Sequence, residues 1–256
     1  MKLTEIFKDS FNYAISDLKI LLIIGVLFVI ASLYRFVDGT LATILSIVAI
    51  IVALIIEGYN LSVINNTIEG SSDVPCLDPK ENIIFGLKSI VVDLVYGLVI
   101  AIISLLVIGI TFGGAALSGA LNGLGNVTIN NATGLASVPF ANTVFGMLLI
   151  AIALIIVVIA IIFGIFFTIS RCRLAKYGSI GEALSFGSVF SDIKSIGFGR
   201  FIGWYILLVI CVLVIGIVAA ILSLIPFIGV IISALIASPI IALVSSRSLG
   251  LLYSEL

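Results

Sequence analysis

The sequence predicts an all-α polytopic membrane protein with six transmembrane helices, flanked by amphipathic interfacial helices in a repeated helix-plus-hairpin arrangement. Three observations carry that expectation. Of 256 residues, 62% are hydrophobic and 10% charged, against about 45–50% and about 25% in soluble domains. The excess is gathered into runs, and Leu94 to Ser170 holds no Asp, Glu, Lys or Arg. Six runs reach or approach the roughly 20 apolar residues that cross a bilayer core as helix.

The chain opens on a polar segment, too polar for the apolar region of a signal peptide, so no cleaved leader is expected. Within it Leu3, Phe7, Phe11, Ala14 and Leu18 recur at helical spacing, which predicts one apolar helix face lying in the membrane interface. Span one follows at Leu18–Tyr34 and span two at Leu41–Ile56, joined by the tight break Arg35, Asp38, Gly39. This gives a first unit over residues 1–57. The second unit, 78–169, starts at Asp78-Pro79-Lys80-Glu81, where an N-cap Asp and a first-turn Pro predict another interfacial helix. Span three is Ile90–Phe112 and span four Val144–Ile169, separated by the uncharged loop Gly113–Thr143. The third unit, 179–247, begins at Ser179-Ile-Gly-Glu182, a capping-box pattern. Phe186, Val189, Phe190 and Ile193 supply its apolar side. Spans five and six are Phe201–Ile225 and Phe227–Val244, with Pro226 and Gly229 at the turn; a re-entrant hairpin is the weaker alternative there.

Residues 10–19, SFNYAISDLK, and 185–194, SFGSVFSDIK, share Ser, Phe, Ser, Asp and Lys in one register. Both precede a span. The match makes Asp17 equivalent to Asp192 and Lys19 to Lys194, and it bears on architecture far more than on transport. Orientation follows from the cations: Arg35 lies alone on one side and the other 11 of the 12 Lys and Arg on the opposite side. The excess of basic residues marks the cytoplasmic side, so both termini are expected there, with the cell membrane as location and the lipid bilayer as partner. Self-association is left open. Asn126-Val-Thr128 and Asn131-Ala-Thr133, in the outer loop, are glycosylation sequons.

Ile56-Glu57-Gly58-Tyr59, Gly70, Pro75, Phe85-Gly86-Leu87-Lys88 and Tyr96 resemble the first half of the family called domain of unknown function 4013. Ala175-Lys176-Tyr177-Gly178, Glu182-Ala183, Phe186 and the closing Gly250-Leu-Leu-Tyr253 resemble its second half. The resemblance implies a multi-span membrane protein, mostly archaeal in its membership, and brings no activity or ligand with it.

Chemistry is sparse. Histidine is absent and the three cysteines lack CxxC spacing, so neither a metal site nor a disulfide framework is indicated. No basic tract suggests nucleic acid, no Gly-rich phosphate loop is present, and no nucleophile–base pair is visible. The expectation is therefore no enzyme and no cofactor. Ionisable residues near the membrane are the candidates. Asp93 lies five residues past Lys88, about 7.5 Å along a helix. It reads as a proton or cation ligand or, preferred here, as an interfacial carboxylate paired with Lys19, Lys194 or Arg247. Glu57 reads as the last-turn residue of span two in need of a cationic partner. Arg171, Arg173 and Lys176 read as anchors to anionic head groups, and Gly199-x-x-x-Gly203 as a weak helix-packing pattern. These features favour a non-enzymatic membrane scaffold or envelope-associated protein, with a small transporter or channel for an ion or lipid-like solute as the alternative.

Overall fold

The computed structural model describes residues 1–117, 128–129, 136–137, 144–225 and 228–256. The sequons at Asn126 and Asn131, and Pro226 in the last turn, lie outside the described residues. Among the described residues six helices are long and apolar enough to cross a membrane. In chain order the elements are α1 (Leu3–Ser16), α2 (Leu18–Ser32) with a 3-10 turn at Leu33–Phe36, α3 (Gly39–Ile68), α4 (Pro79–Leu117) and α5 (Val144–Tyr177). Then come α6 (Ile180–Ala183), α7 (Phe186–Ile196), α8 (Phe198–Leu222), α9 (Ile228–Ile232), a π-helical turn at Ser233–Ala237 and α10 (Ser238–Tyr253). Two short strands, β1 (Thr128–Ile129) and β2 (Ala136–Ser137), pair antiparallel.

Three helices outrun the apolar runs they contain. α3 has 30 residues, α4 39 and α5 34; at 1.5 Å per residue they measure about 45, 58 and 51 Å, against a hydrocarbon core of about 30 Å. The interfacial helix expected ahead of span three is thus not a separate element. Asp78 caps it as expected, accepting from the backbone N–H of Lys80 at 2.9 Å and of Glu81 at 3.3 Å. From Pro79 onward, however, the helix runs unbroken into the span. Nothing in 82–92 stops it, because the stretch holds no proline and its apolar residues carry the helix across Gly86.

The chain divides into two compact units, Met1–Val92 with Thr168–Leu256, and Asp93–Phe167. In the first, α10 packs against α1, α2 and α3, and Leu243, Val244, Leu249, Leu252 and Tyr253 are all buried. The apolar stretch of α8 presents almost all its large side chains outward, as lipid-facing helices do. In the second unit Tyr96 meets Phe167 edge-on, with ring centroids 5.9 Å apart.

The two similar stretches fold differently. In the first, the helix stops at Ser16, Asp17 adopts an extended conformation, and its carboxylate caps α2 through the N–H groups of Lys19 (2.9 Å) and Ile20 (3.1 Å). In the second, Asp192 and Lys194 lie inside the unbroken α7, and the break comes at Gly197. Its φ of 90° is left-handed backbone that favours glycine. Lys19 opens a span whereas Lys194 closes an interfacial helix, so the two are not equivalent. The expected faces also shift. α1 buries Ile6, Phe7, Ser10, Tyr13 and Ala14 while Leu18 is exposed, and α7 buries Val189 and Ile193 while Phe186 and Phe190 point outward.

Candidate functional site

The ionisable groups of the first unit gather where α3, α5 and α10 end and α4 begins. Arg173 centres the first cluster. It sits near the end of α5, 6% exposed, because the helix overshoots the apolar core. Its Nη1 donates to Asp192 at 2.8 Å, its Nη2 to Glu182 at 2.5 Å, and its Nε to the Glu182 carbonyl at 2.9 Å. The Tyr253 hydroxyl donates to the same Asp192 carboxylate at 2.7 Å, and the Arg173 guanidinium lies over the Tyr177 ring at 5.1 Å. A planar fork with several donors suits this three-way binding; an ammonium would not. The expected capping box at Ser179 is absent for the same reason: Ser179 makes no side-chain cap, and the Glu182 carboxylate is taken by Arg173.

A second cluster surrounds Arg247, 5% exposed on α10. Its Nε donates to Asp9 of α1 at 3.0 Å, and its Nη1 donates to the Ser71 carbonyl at 2.6 Å and the Thr67 hydroxyl at 3.3 Å. The guanidinium stacks 4.6 Å from the Tyr13 ring centre. One side chain thus ties α1, α3 and the loop after α3 to α10. Burial pushes the Tyr13 hydroxyl up to about 12, the nearby Arg247 charge pulling the other way. A third pairing joins Glu57 to Arg171, and the Ser89 hydroxyl donates to the same carboxylate at 3.0 Å.

These contacts revise the roles read from sequence. Glu57 has the cationic partner it needed, in Arg171, but it stands within a continuous helix and not in a last turn. Arg171 and Arg173 face carboxylates of their own chain, which makes them tertiary clasps and not head-group anchors. Arg247 pairs with Asp9, and Lys19 and Lys194 are exposed. Asp93, half-buried on α4, opens the second unit. Gly199 has open space beside it and Gly203 faces only the tip of Leu3, so the pair does not form a helix crossing. Among the described residues no group of three His, Cys, Asp or Glu could hold a metal ion. Sequence reasoning missed Asp9, Tyr13, Glu182 and Asp192 as partners, since only the fold brings residues so distant in the chain together.

Residues 41–224, more than two thirds of the chain, match the family described as protein of unknown function DUF4013. The chain belongs to that family. No curated protein and no solved structure matches it. Several of the residues that suggested the family are packing and clamping positions. A Cβ on Gly58 would lie 1.8 Å from the Asn82 carbonyl oxygen, and one on Gly86 2.2 Å from that of Leu54. Only hydrogen at both sites lets α3 and α4 approach this closely. Beside them the Tyr59 hydroxyl donates to the Pro75 carbonyl at 3.0 Å, and Lys88 donates to the Gly178 carbonyl at 2.8 Å.

Proposed function

We propose that this DUF4013 protein is a non-enzymatic scaffold of the cell membrane, associated with the envelope, with both termini cytoplasmic. One observation carries the reading: Arg171, Arg173 and Arg247 are each held by carboxylates of the same chain. Charges fixed in this way hold interfacial helices against the spans, whereas a carrier needs charges that exchange partners. The family positions named above serve the same end, bringing α3 and α4 together and fastening the neighbouring loops. The test is flux. Proteoliposomes carrying the full chain should show no pH-dependent proton or cation movement between pH 5 and 8. A flux that disappears in Asp93→Asn, with thermal unfolding unchanged, would replace the scaffold with a transporter. A lipid-like solute is the cargo that alternative would favour, on the observation of an open cleft of mixed polarity between the end of α2 and the π-helical turn.

A further inference from the structure

The cleft lies at the end of the first unit away from the arginine clusters. It is about 370 Å³ and is walled by Phe28 and Ser32 near the end of α2, by Arg35 on the 3-10 turn that follows, by Ser223 after α8, and by Ser233 and Ser238 around the π-helical turn. Pockets for small ligands are about 300–1,000 Å³, so the volume accommodates a head group.

Its polar atoms are sorted by kind. Each serine hydroxyl has a helix carbonyl to donate to, Ser32 at Val29 (2.8 Å), Ser223 at Ala219 (2.8 Å), Ser233 at Ala219 (3.1 Å) and Ser238 at Ser233 (3.4 Å), and the Ser223 and Ser233 hydroxyls lie 3.5 Å apart. What the hydroxyls still offer is lone pairs. Arg35 supplies only donors and a fixed positive charge. Among the described residues it has no ion-pair partner, and its contacts are with the neighbouring Tyr34, whose hydroxyl accepts from Nε at 3.4 Å. A ligand matching both halves carries an anion for Arg35 and hydrogen-bond donors for the serines.

The backbone adds a second argument. Five residues at 3.6 per turn separate two side chains by about 140°, which would turn Ser233 and Ser238 to different sides. The π turn brings both to the cleft, with the Ser238 N–H donating to the Ser233 carbonyl. Pro239 follows at once. It has no N–H to give the Leu235 carbonyl, and that carbonyl points at Gly25, where a Cβ would come within 2.1 Å. Proline therefore accounts for the disturbed helix, while the paired serines on one wall are what the disturbance achieves; such turns are frequent at functional sites.

We infer that this cleft binds a phosphate-bearing head group that also carries an amine or hydroxyl, its phosphate on Arg35 and its donors on the serine oxygens. The apolar wall at Phe28, beside lipid-facing helices, favours a lipid as the source. The inference does not depend on the scaffold reading, since a scaffold and a carrier could each hold a head group.

The test uses the full chain in detergent, with short-chain lipids followed by native mass spectrometry. Phosphatidylethanolamine and phosphatidylglycerol should be retained, and phosphatidylcholine, whose head group has no donor, about tenfold more weakly. Diacylglycerol, lacking phosphate, should not be retained. Arg35→Gln should lower ethanolamine-lipid retention about tenfold, as loss of a charge-assisted hydrogen bond does. Ser233→Ala with Ser238→Ala should abolish the preference over phosphatidylcholine. Arg35 is exposed, so a fold check by melting should find Arg35→Gln unchanged. Equal retention of the ethanolamine and choline lipids, or undiminished retention by Arg35→Gln, would overturn the assignment. Free phosphoethanolamine separates the sources: failure to displace the lipid at equal concentration supports a lipid ligand, and full displacement supports the same chemistry from a soluble one.

Discussion

Arg247 shows how much one side chain can hold at the residue scale. Its three hydrogen bonds reach Asp9, Thr67 and Ser71, and truncation would leave Thr67 and the Ser71 carbonyl without this partner. Arg247→Ala should therefore lower stability by about 1.5–3 kcal/mol, read by denaturant unfolding in detergent. Lys19→Ala, at an exposed site, should stay within about 0.5 kcal/mol of the parent. A pH dependence belongs at the same scale. Burial pushes the Glu255 carboxyl up, but hydrogen bonds from the Met1 ammonium and from Arg200 outweigh it and leave the carboxyl below its usual range. A carboxyl lowered by folding stabilises above its unfolded value, near 4.3, and that contribution fades as pH falls through the folded value. Melting curves from pH 6 to pH 3 should drop less steeply in Glu255→Gln than in the parent.

Helix contacts set the next predictions. Gly58→Ala would place a methyl group 1.8 Å from the Asn82 carbonyl oxygen, and overpacking of this kind costs about 1–3 kcal/mol or more. Gly97 has nothing within 4 Å of its would-be Cβ; Gly97→Ala should be neutral or stabilising by up to about 1 kcal/mol. Comparing the two melting temperatures checks the crossing of α3 and α4. Element existence was plain in the sequence because apolar runs of spanning length have few alternatives in lipid. Element ends were not. Glu57 looks like a terminus by hydropathy, yet the helix continues to Ile68 because Asn65, Asn66 and Thr67 do not break it and packing against α10 outweighs their weak propensity. Asp17 and Asp192 sit in local sequences that share five of ten residues, yet one caps a helix while the other is bound by Arg173 and Tyr253. The clusters were half legible. Glu57 and Arg247 stood out as charges beside apolar runs, while their partners lay up to 238 positions away, beyond any local pattern.

For the molecule as a whole, the prediction concerns sidedness. Reporter fusions after Leu256 and within the Gly113–Thr143 loop should fall in opposite compartments, the first cytoplasmic. The same compartment for both would break the six-span arrangement. Asp93→Asn tests the proposed role on the same preparations: the expected result is a modest fall in stability, about 0–1 kcal/mol for an interfacial pair, with no change in ion movement.

The bond between Asp9 and Arg247 also sets an order of events during synthesis. Asp9 leaves the ribosome ahead of its partner, which follows 238 positions later. At about 5–20 residues per second the wait is roughly 12–48 s. Throughout that interval α1 has been made but has no α10 to dock on, and its Ile6–Phe7 face remains uncovered. Nascent chains halted before Arg247 should leave α1 open to protease, and protection should arrive abruptly once α10 has entered the membrane.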